Sequence, residues 1–320
     1  MQSAKCKIGR TENSLVRHFA LFSLHFALCT ELAETKIYEQ KTTLSALTRY
    51  SRRMTDAAKT PVDLAHAEIG IVCALPIEMD AFLSRCSKVK KYSGGDFTFR
   101  GGFYDGVRVA VVEAGMGFAR ARRATQALYE GHSPCWLLSC GFSGALRSGI
   151  PIGSIVVGNS IVDQHGQALQ IDLQMASDPD RRLFVGRLLT ADELVRSVSQ
   201  KQLLGEQHDA LAVDMESLAV AQVAHANKVR FMAVRVISDD LSADLPAEVL
   251  SVVGSTGGLR LGATIGALWK RPAAVKDLWQ LRERAHSAAA RLATFLDGVI
   301  VQLNATSQTP SAKHVPRGDQ

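Results

Sequence analysis

Metal-ligand spacing is missing from this chain. Its six cysteines, at 6, 29, 73, 86, 135 and 140, include no CxxC pair and form no Cys/His cluster with zinc spacing. Histidines 132, 165, 208 and 225 are scattered, and none has another histidine four residues away. A zinc centre and a disulfide scaffold are therefore not expected. Cys73 and Cys140 lie in apolar, strand-like runs that suit small buried thiols, and a reducing cytoplasm fits this usage best.

Long hydrophobic runs are absent too. The most apolar stretch, LVRHFALFSLHFALC at 15–29, carries Arg17, His18 and His25 and is too short and too polar to span a bilayer. No small-x-small cleavage site follows it cleanly, so neither stable membrane insertion nor secretion is expected. Charge of one sign is scarce outside the N-terminus. Residues 1–54 hold nine Lys/Arg against four Asp/Glu, while the remaining 266 hold 28 against 27. The net charge of +6 is thus a property of the first segment, and the body has no basic balance that would recruit nucleic acid. No internal repeat is visible.

What is present is a globular composition, 47% hydrophobic over 320 residues. Residues 1–65 read as a poorly ordered, non-catalytic extension in which Met54 opens an alternative start. Residues 66–303 read as one catalytic domain, and residues 304–320 as a disordered tail. Within the domain, IGIVCAL (69–75) is a short β-branched run closed by Pro76, a buried strand, and 77–86 reads as a helix. FTFRGGFYDGVRVAVVEAG predicts a hairpin turning at Asp105-Gly106. A helix rich in Ala and Arg follows, then CWLLSCGFSGAL as a strand running into a glycine-bearing loop, then GSIVVGNSIVDQ as a strand. ADELVRSVSQKQLLGEQH (191–208) reads as helix, ALAVDMESLAVAQVAHANK as strand into helix, and RFMAVRVISDD as a strand. This alternation predicts an α/β fold, a three-layer αβα sandwich around a central mixed β-sheet.

Ligands on such sheets bind at the carboxyl ends of the strands. Carboxylates stand there at Glu78, at Asp214 with Glu216, and at Asp239 with Asp240. Each has a plain structural explanation. A first-turn glutamate suits the helix dipole, a DME pair suits capping, and Ser238-Asp239 suits a turn. The glycines of GMG (115–117) and GFSG (141–144) permit close backbone approach to a ligand, or simply tight turns.

Taken together, IGIVCALPIEMDAF, VEAGMGFARA, SCGFSGALRSGIPIGSIVV, ALAVDMESLAVAQVA and VRVISDD resemble the purine nucleoside phosphorylase and uridine phosphorylase superfamily, and within it the methylthioadenosine/adenosylhomocysteine nucleosidases. The segments keep the family's order over about 170 residues. RLLTADELV, LAVDMES and a later DLP also resemble the hopanoid-associated phosphorylases of that superfamily.

The resemblance implies a nucleoside substrate whose N-glycosidic bond is cleaved through an oxocarbenium-like sugar cation. It implies Asp239 as the proton donor to purine N7 and Glu78 as the base that activates water. Glu216 would bind the ribose hydroxyls, Met215 would pack on the sugar, Ser238 would support the base pocket, and Gly115, Gly117, Phe142 and Gly144 would line the substrate. It implies no cofactor or metal, with phosphate as co-substrate only for a phosphorylase, and a homo-oligomer. Two departures stand out. Asp214 replaces the family's usual glutamate before Met. RLLTADELV offers Leu188, Leu189 and Leu194 where a ring often stacks on the base.

Glu78 favours water over phosphate by repelling the dianion. Arg120, Arg122 and Arg123 would suit phosphate, although their spacing does not put all three on one helix side. Hydrolysis is the expectation, with phosphorolysis and a non-catalytic nucleoside-binding protein as alternatives.

Overall fold

The computed structural model describes residues 66–245 and 272–308. The expected extension at 1–65 lies outside them, as do residues 309–320.

The chain enters through β1 (Ile69–Cys73), whose five residues are all buried. Pro76 then opens α1 (Pro76–Leu83) from its first turn, where its missing N–H costs nothing. α1 is shorter than the helix expected at 77–86, because β2 (Ser87–Gly94) begins four residues after Leu83. The expected hairpin is present as β3 (Phe97–Tyr104) and β4 (Val107–Glu113). Asp105 and Gly106 between them have φ of 48° and 79°, the left-handed pair that matches the strands' twist.

α2 (Phe118–His132) leads to β5 (Trp136–Ala145). The GFSG segment, expected to be a loop, is the C-terminal half of this strand, held by backbone pairing to a later strand on one side. β6 (Ile155–Asp163) and the short β7 (Ala168–Gln170) follow. β8 (Leu183–Thr190) comes next, in a stretch with no strand expectation. α3 (Val198–His208) begins only at Ser197, whose Oγ accepts the Gln200 N–H at 3.3 Å, so residues 191–197 are not helical as expected. β9 (Ala212–Asp214), α4 (Ser217–Ala226), β10 (Arg230–Asp239) and α5 (Pro272–Gln308) complete the order. α5 runs past the tail boundary expected at 303.

The sheet is mixed and has ten strands. β2-β3-β4 form an antiparallel flank, and β4, β1, β5 and β10 lie parallel. At the far side the sheet closes on itself. β10 pairs with both β5 and β6, β6 with β8, β8 with β9, and β9 returns to β5. β2, the open edge, exposes Lys88, Lys90 and Lys91, and charged side chains on an edge discourage pairing with another chain.

Helices cover both faces, as the three-layer expectation requires. Met79 and Phe82 of α1 and Leu292, Leu296 and Ile300 of α5 pack on Ile71, Val111 and Val234. Ala121, Ala124 and Leu128 of α2 and Ala219, Val220 and Ala224 of α4 pack on Val72, Val112 and Leu137. Cys73 and Cys140 are buried free thiols within this core, and burial pushes the Cys140 thiol up to about 12. No described helix is long and apolar enough to cross a membrane.

Candidate active site

Three parallel strands, β1, β5 and β10, end at the same edge, and the acidic residues gather there. Glu78 arrives on the first turn of α1. Its Oε2 accepts the Ala74 and Leu75 N–H groups at 2.8 Å each, and its Oε1 accepts the Phe142 N–H from β5 at 2.9 Å. Glu78 therefore does what a first-turn glutamate does for a helix end, and also crosses to the neighbouring strand. α1 is fixed from outside by Arg100 of β3. That side chain pairs with Asp80, lies 2.6 Å from Glu113 and donates to the Pro76 carbonyl at 3.1 Å.

Beneath Glu78 stands Arg235, 1% exposed, in the middle of β10. It is the organising charge of the site, and the sequence reading passed over it. Its Nε lies 2.8 Å from Asp214 Oδ2, and its Nη1 lies 3.9 Å from Glu216 Oε2. It donates to Ser217 Oγ at 2.9 Å and Ser139 Oγ at 2.6 Å. Burial alone would lower its pKa, but Asp214, Glu216 and Glu78 outweigh burial and hold it above its ordinary value.

Gly141 makes this convergence possible. A Cβ there would lie 2.6 Å from Arg235 Nη1 and 2.7 Å from Glu78 Oε1, so only glycine lets the two groups meet against β5.

Asp214 is an anchor. Its Oδ1 accepts the Thr190 hydroxyl at 2.9 Å and the Glu216 and Ser217 N–H groups at 3.1 Å each, which caps α4. Its Oδ2 accepts no hydrogen bond and is balanced by the charge of Arg235 alone. Glu216 sits at the N-cap of α4, 7% exposed, and its Oε1 accepts the Gly117 N–H at 2.8 Å. Burial raises its carboxyl to about 7 despite the pull of Arg235, and Asp214 adds to the rise. Burial also raises Glu78, against the backbone N–H groups of Leu75 and Phe142 and against Arg235.

Asp239 ends β10. Its Oδ1 accepts the Ser238 hydroxyl at 2.7 Å, and the Ser143 carbonyl, 3.3 Å from Ser238 Oγ, is the alternative acceptor of that single proton. Oδ2 is ion-paired with Lys201 of α3, whose side chain is 0% exposed and which also donates to the Asp240 carbonyl at 3.3 Å. A Cβ on Gly144 would come within 2.9 Å of Asp239 Oδ2, so Gly144 makes room for this carboxylate. Glu78 touches β5 at Gly141 and Asp239 touches it at Gly144, which is three residues of strand, or about 10 Å.

The other expected site residues divide. Met215 is half-buried between Asp214 and Glu216. Phe142 is half-buried against the core, and its N–H is committed to Glu78. The Gly115 N–H goes to the Ala74 carbonyl at 3.0 Å and the Gly117 N–H to Glu216, so the GMG turn orders the site's own walls. Leu188 and Leu189 are 0% exposed inside β8, and only Leu194 of that trio is half-buried. Arg120 folds back to donate to the Ala114 carbonyl at 2.8 Å and lies with Arg123 over the Phe97 ring. Arg122 is exposed. Among the described residues no group of three or more His, Cys, Asp or Glu is placed to hold a metal ion.

Arg235 and Lys201 were both missed, and both left a signal. Arg235 interrupts the apolar run FMAVRVIS, where alternation cannot turn it to water because the strand is covered on both faces. Lys201 shares the buried stripe of α3 with Leu204 and Gly205, three and four residues on.

A mixed sheet closed at one side, with its acidic residues at the carboxyl edge, defines an α/β enzyme of the nucleoside-cleaving type. A family model described as the phosphorylase superfamily matches residues 68–174 and 167–257, and the chain belongs to that superfamily. It is 27% identical over 202 residues to a 5′-methylthioadenosine/S-adenosylhomocysteine nucleosidase of Maridesulfovibrio salexigens, covering 55% of this chain and 87% of the relative. A protein of the same name from Shewanella loihica is 26% identical over 216 residues, 59% of this chain and 94% of the relative. Among solved structures, the Neisseria meningitidis nucleosidase of that name in complex with methylthio-immucillin-A superposes with a TM-score of 0.54 at 20% identity, covering 73% of this chain and 98% of that one. Helicobacter pylori futalosine hydrolase gives 0.54 at 17%, covering 73% and 97%. At these identities the solved structures speak for the fold.

Proposed function

We propose that the protein is a purine nucleosidase, an N-ribosyl hydrolase that uses water to cleave the N-glycosidic bond of an adenosine-type nucleoside and releases the free base. The observation that carries this reading is the convergence of Glu78, Asp214 and Glu216 on the buried Arg235, about 10 Å along β5 from Asp239. The sugar lies over Met215 with its hydroxyls on Glu216, and the purine lies towards Asp239.

As the C1′–N9 bond breaks, its electron pair moves onto the base and N7 takes a proton from Asp239. Positive charge then develops at C1′, and the surrounding carboxylates stabilise it. Glu78 uses three of its four lone-pair positions on backbone N–H groups, which leaves one to accept a proton from the attacking water. Ser238 fixes the rotamer of Asp239. Asp214 holds the turn that presents Met215 and Glu216.

Water is favoured over phosphate because Arg120 and Arg123 are engaged by Ala114 and Phe97, while Glu78 occupies the place where an anion would have to sit. The curated relatives, named as nucleosidases of 5′-methylthioadenosine and S-adenosylhomocysteine, support an adenine base with a 5′ thioether.

Glu216 must be ionised to accept two ribose hydroxyls, and its carboxyl stands at about 7. The raised value means that the protonated form persists up to neutral pH. kcat/KM should therefore fall about tenfold per pH unit below 7 and level off above it. A profile flat down to pH 5 would remove Glu216 from this role. The substrate class is tested by incubating the protein with adenosine, 5′-methylthioadenosine, S-adenosylhomocysteine and an adenosine carrying a 5′ alkyl chain, and scoring free adenine. Turnover of at least one is expected. No adenine from any of them would overturn the reading.

A further inference from the structure

Asp239 has a partner that its role as N7 acid does not by itself require. Lys201 lies on α3, a helix that is polar on its outer side, yet its side chain is fully buried and its ammonium is directed at Asp239 Oδ2 and the Asp240 carbonyl. The close packing of α3 sets this reach. A Cβ on Gly205 would lie 2.4 Å from the Leu146 carbonyl, so the helix backbone sits directly on the end of β5, one turn beyond Lys201. A buried ammonium is costly unless it is paired, so the position is specific.

With Oδ1 accepting from Ser238 and Oδ2 paired with Lys201, both carboxylate oxygens accept hydrogen bonds. Charged groups near the pair are few among the described residues. Asp240 follows Asp239 and is engaged by Ser242 Oγ. Arg284 of α5 acts on Asp240. Asp244 Oδ1 accepts the Val198 N–H at the start of α3, at 2.7 Å. The Arg235 cluster already has its own carboxylates.

We propose that Lys201 is the positioning residue that stores the proton Asp239 delivers to the purine. In the resting site the pair is ammonium and carboxylate. As the C1′–N9 bond breaks, Lys201 Nζ passes its proton to Asp239 Oδ2 and the acid so formed hands it to N7. The bond's electron pair stays on the base. Water oxygen bonds to C1′ and its proton goes to Glu78. Lys201 is left neutral and recovers its proton from solvent after the base departs. Its value is that the pair keeps a transferable proton at neutral and alkaline pH, where a lone aspartic acid would have lost it. Ordinary lysine and aspartic acid pKa values lie about 6 units apart.

This inference rests on the nucleosidase reading, and its test separates the two. kcat for adenine release from 5′-methylthioadenosine is measured between pH 5.5 and 8.5 for the wild type and for Lys201→Met, Lys201→Gln and Lys201→Arg, each checked for folding by circular dichroism. The readout is the ratio of variant to wild type, which cancels limbs set by other groups. For the neutral variants the ratio should fall about tenfold per pH unit over part of this range, to at least about 100-fold below its acid value at pH 8.5. Lys201→Arg keeps the positive charge, but a guanidinium does not release its proton, so its ratio should fall with pH as those of the neutral variants do. Hydrolysis of 4-nitrophenyl β-ribofuranoside, whose leaving group needs no proton at N7, should keep a flat ratio in every variant.

A ratio independent of pH on the nucleoside, or an equal loss on both substrates, would show that Lys201 only supports the fold. If a variant does not fold, those that do carry the test, and if none of the three folds, the proton role is rejected in favour of a structural one. A wild type that releases no adenine defeats the functional reading itself.

Discussion

Asp239→Asn should lower kcat for base release by about three orders of magnitude. General acid catalysis contributes about 10²- to 10⁴-fold, and an asparagine has no acidic proton to give. The structure adds a consequence for stability. An asparagine with its oxygen towards Lys201 can still accept that hydrogen bond and turn its NH2 towards Ser238 Oγ, but Lys201, 0% exposed, loses its counter-charge. A moderate loss of stability, about 2 kcal/mol, should accompany the loss of rate. The two are separated by measuring adenine release at saturating nucleoside alongside urea unfolding. Because the effect lies on the chemical step, KM should move much less than kcat. Retention of more than about a tenth of wild-type kcat would place the proton donor elsewhere.

Arg235→Met should be the most destabilising single change at the site, by about 3–5 kcal/mol at pH 8. Glu78, Asp214 and Glu216 would remain buried with no cation among them, and the Ser139 and Ser217 hydroxyls would lose their shared partner. The deficit should shrink as pH falls. Without the guanidinium these carboxyls rise further, the fold then favours their protonated forms, and acid relieves the repulsion. Urea unfolding at pH 8 and pH 5.5 reads this directly. Equal stability of variant and wild type at pH 8 would mean that the cluster is not held by Arg235.

The parts of the fold that were legible in the sequence are those where local pattern and burial agree. β1 is an unbroken β-branched run stopped by proline, and the β3-β4 turn is carried by Asp105-Gly106. β2 was hidden because SKVKKYSG is an exposed edge strand with no apolar alternation to read. β8 was hidden because it runs through Gly186 and Arg187 before turning apolar. The closure of the sheet depends on β10 pairing with both β5 and β6, which no local signal encodes.

The site divides in the same way. Glu78, Glu216 and Asp239 were legible as candidates because acids at or shortly after the ends of apolar runs are conspicuous. Arg235 and Lys201 were not, because a basic residue is assigned to solvent by default. Their burial is set by partners 18 to 96 residues away along the chain. The shorter Asp214, a departure from the family's usual glutamate, suits its contacts, since it bonds within the turn it caps and also reaches Arg235.

The central claim is that water, not phosphate, captures the sugar. The direct measurement is the identity of the sugar product when 5′-methylthioadenosine is turned over in excess inorganic phosphate, followed by phosphorus NMR. The account predicts free sugar, no sugar 1-phosphate resonance, and the same rate when phosphate is omitted. A sugar 1-phosphate formed in step with adenine, with no release in phosphate-free buffer, would contradict it.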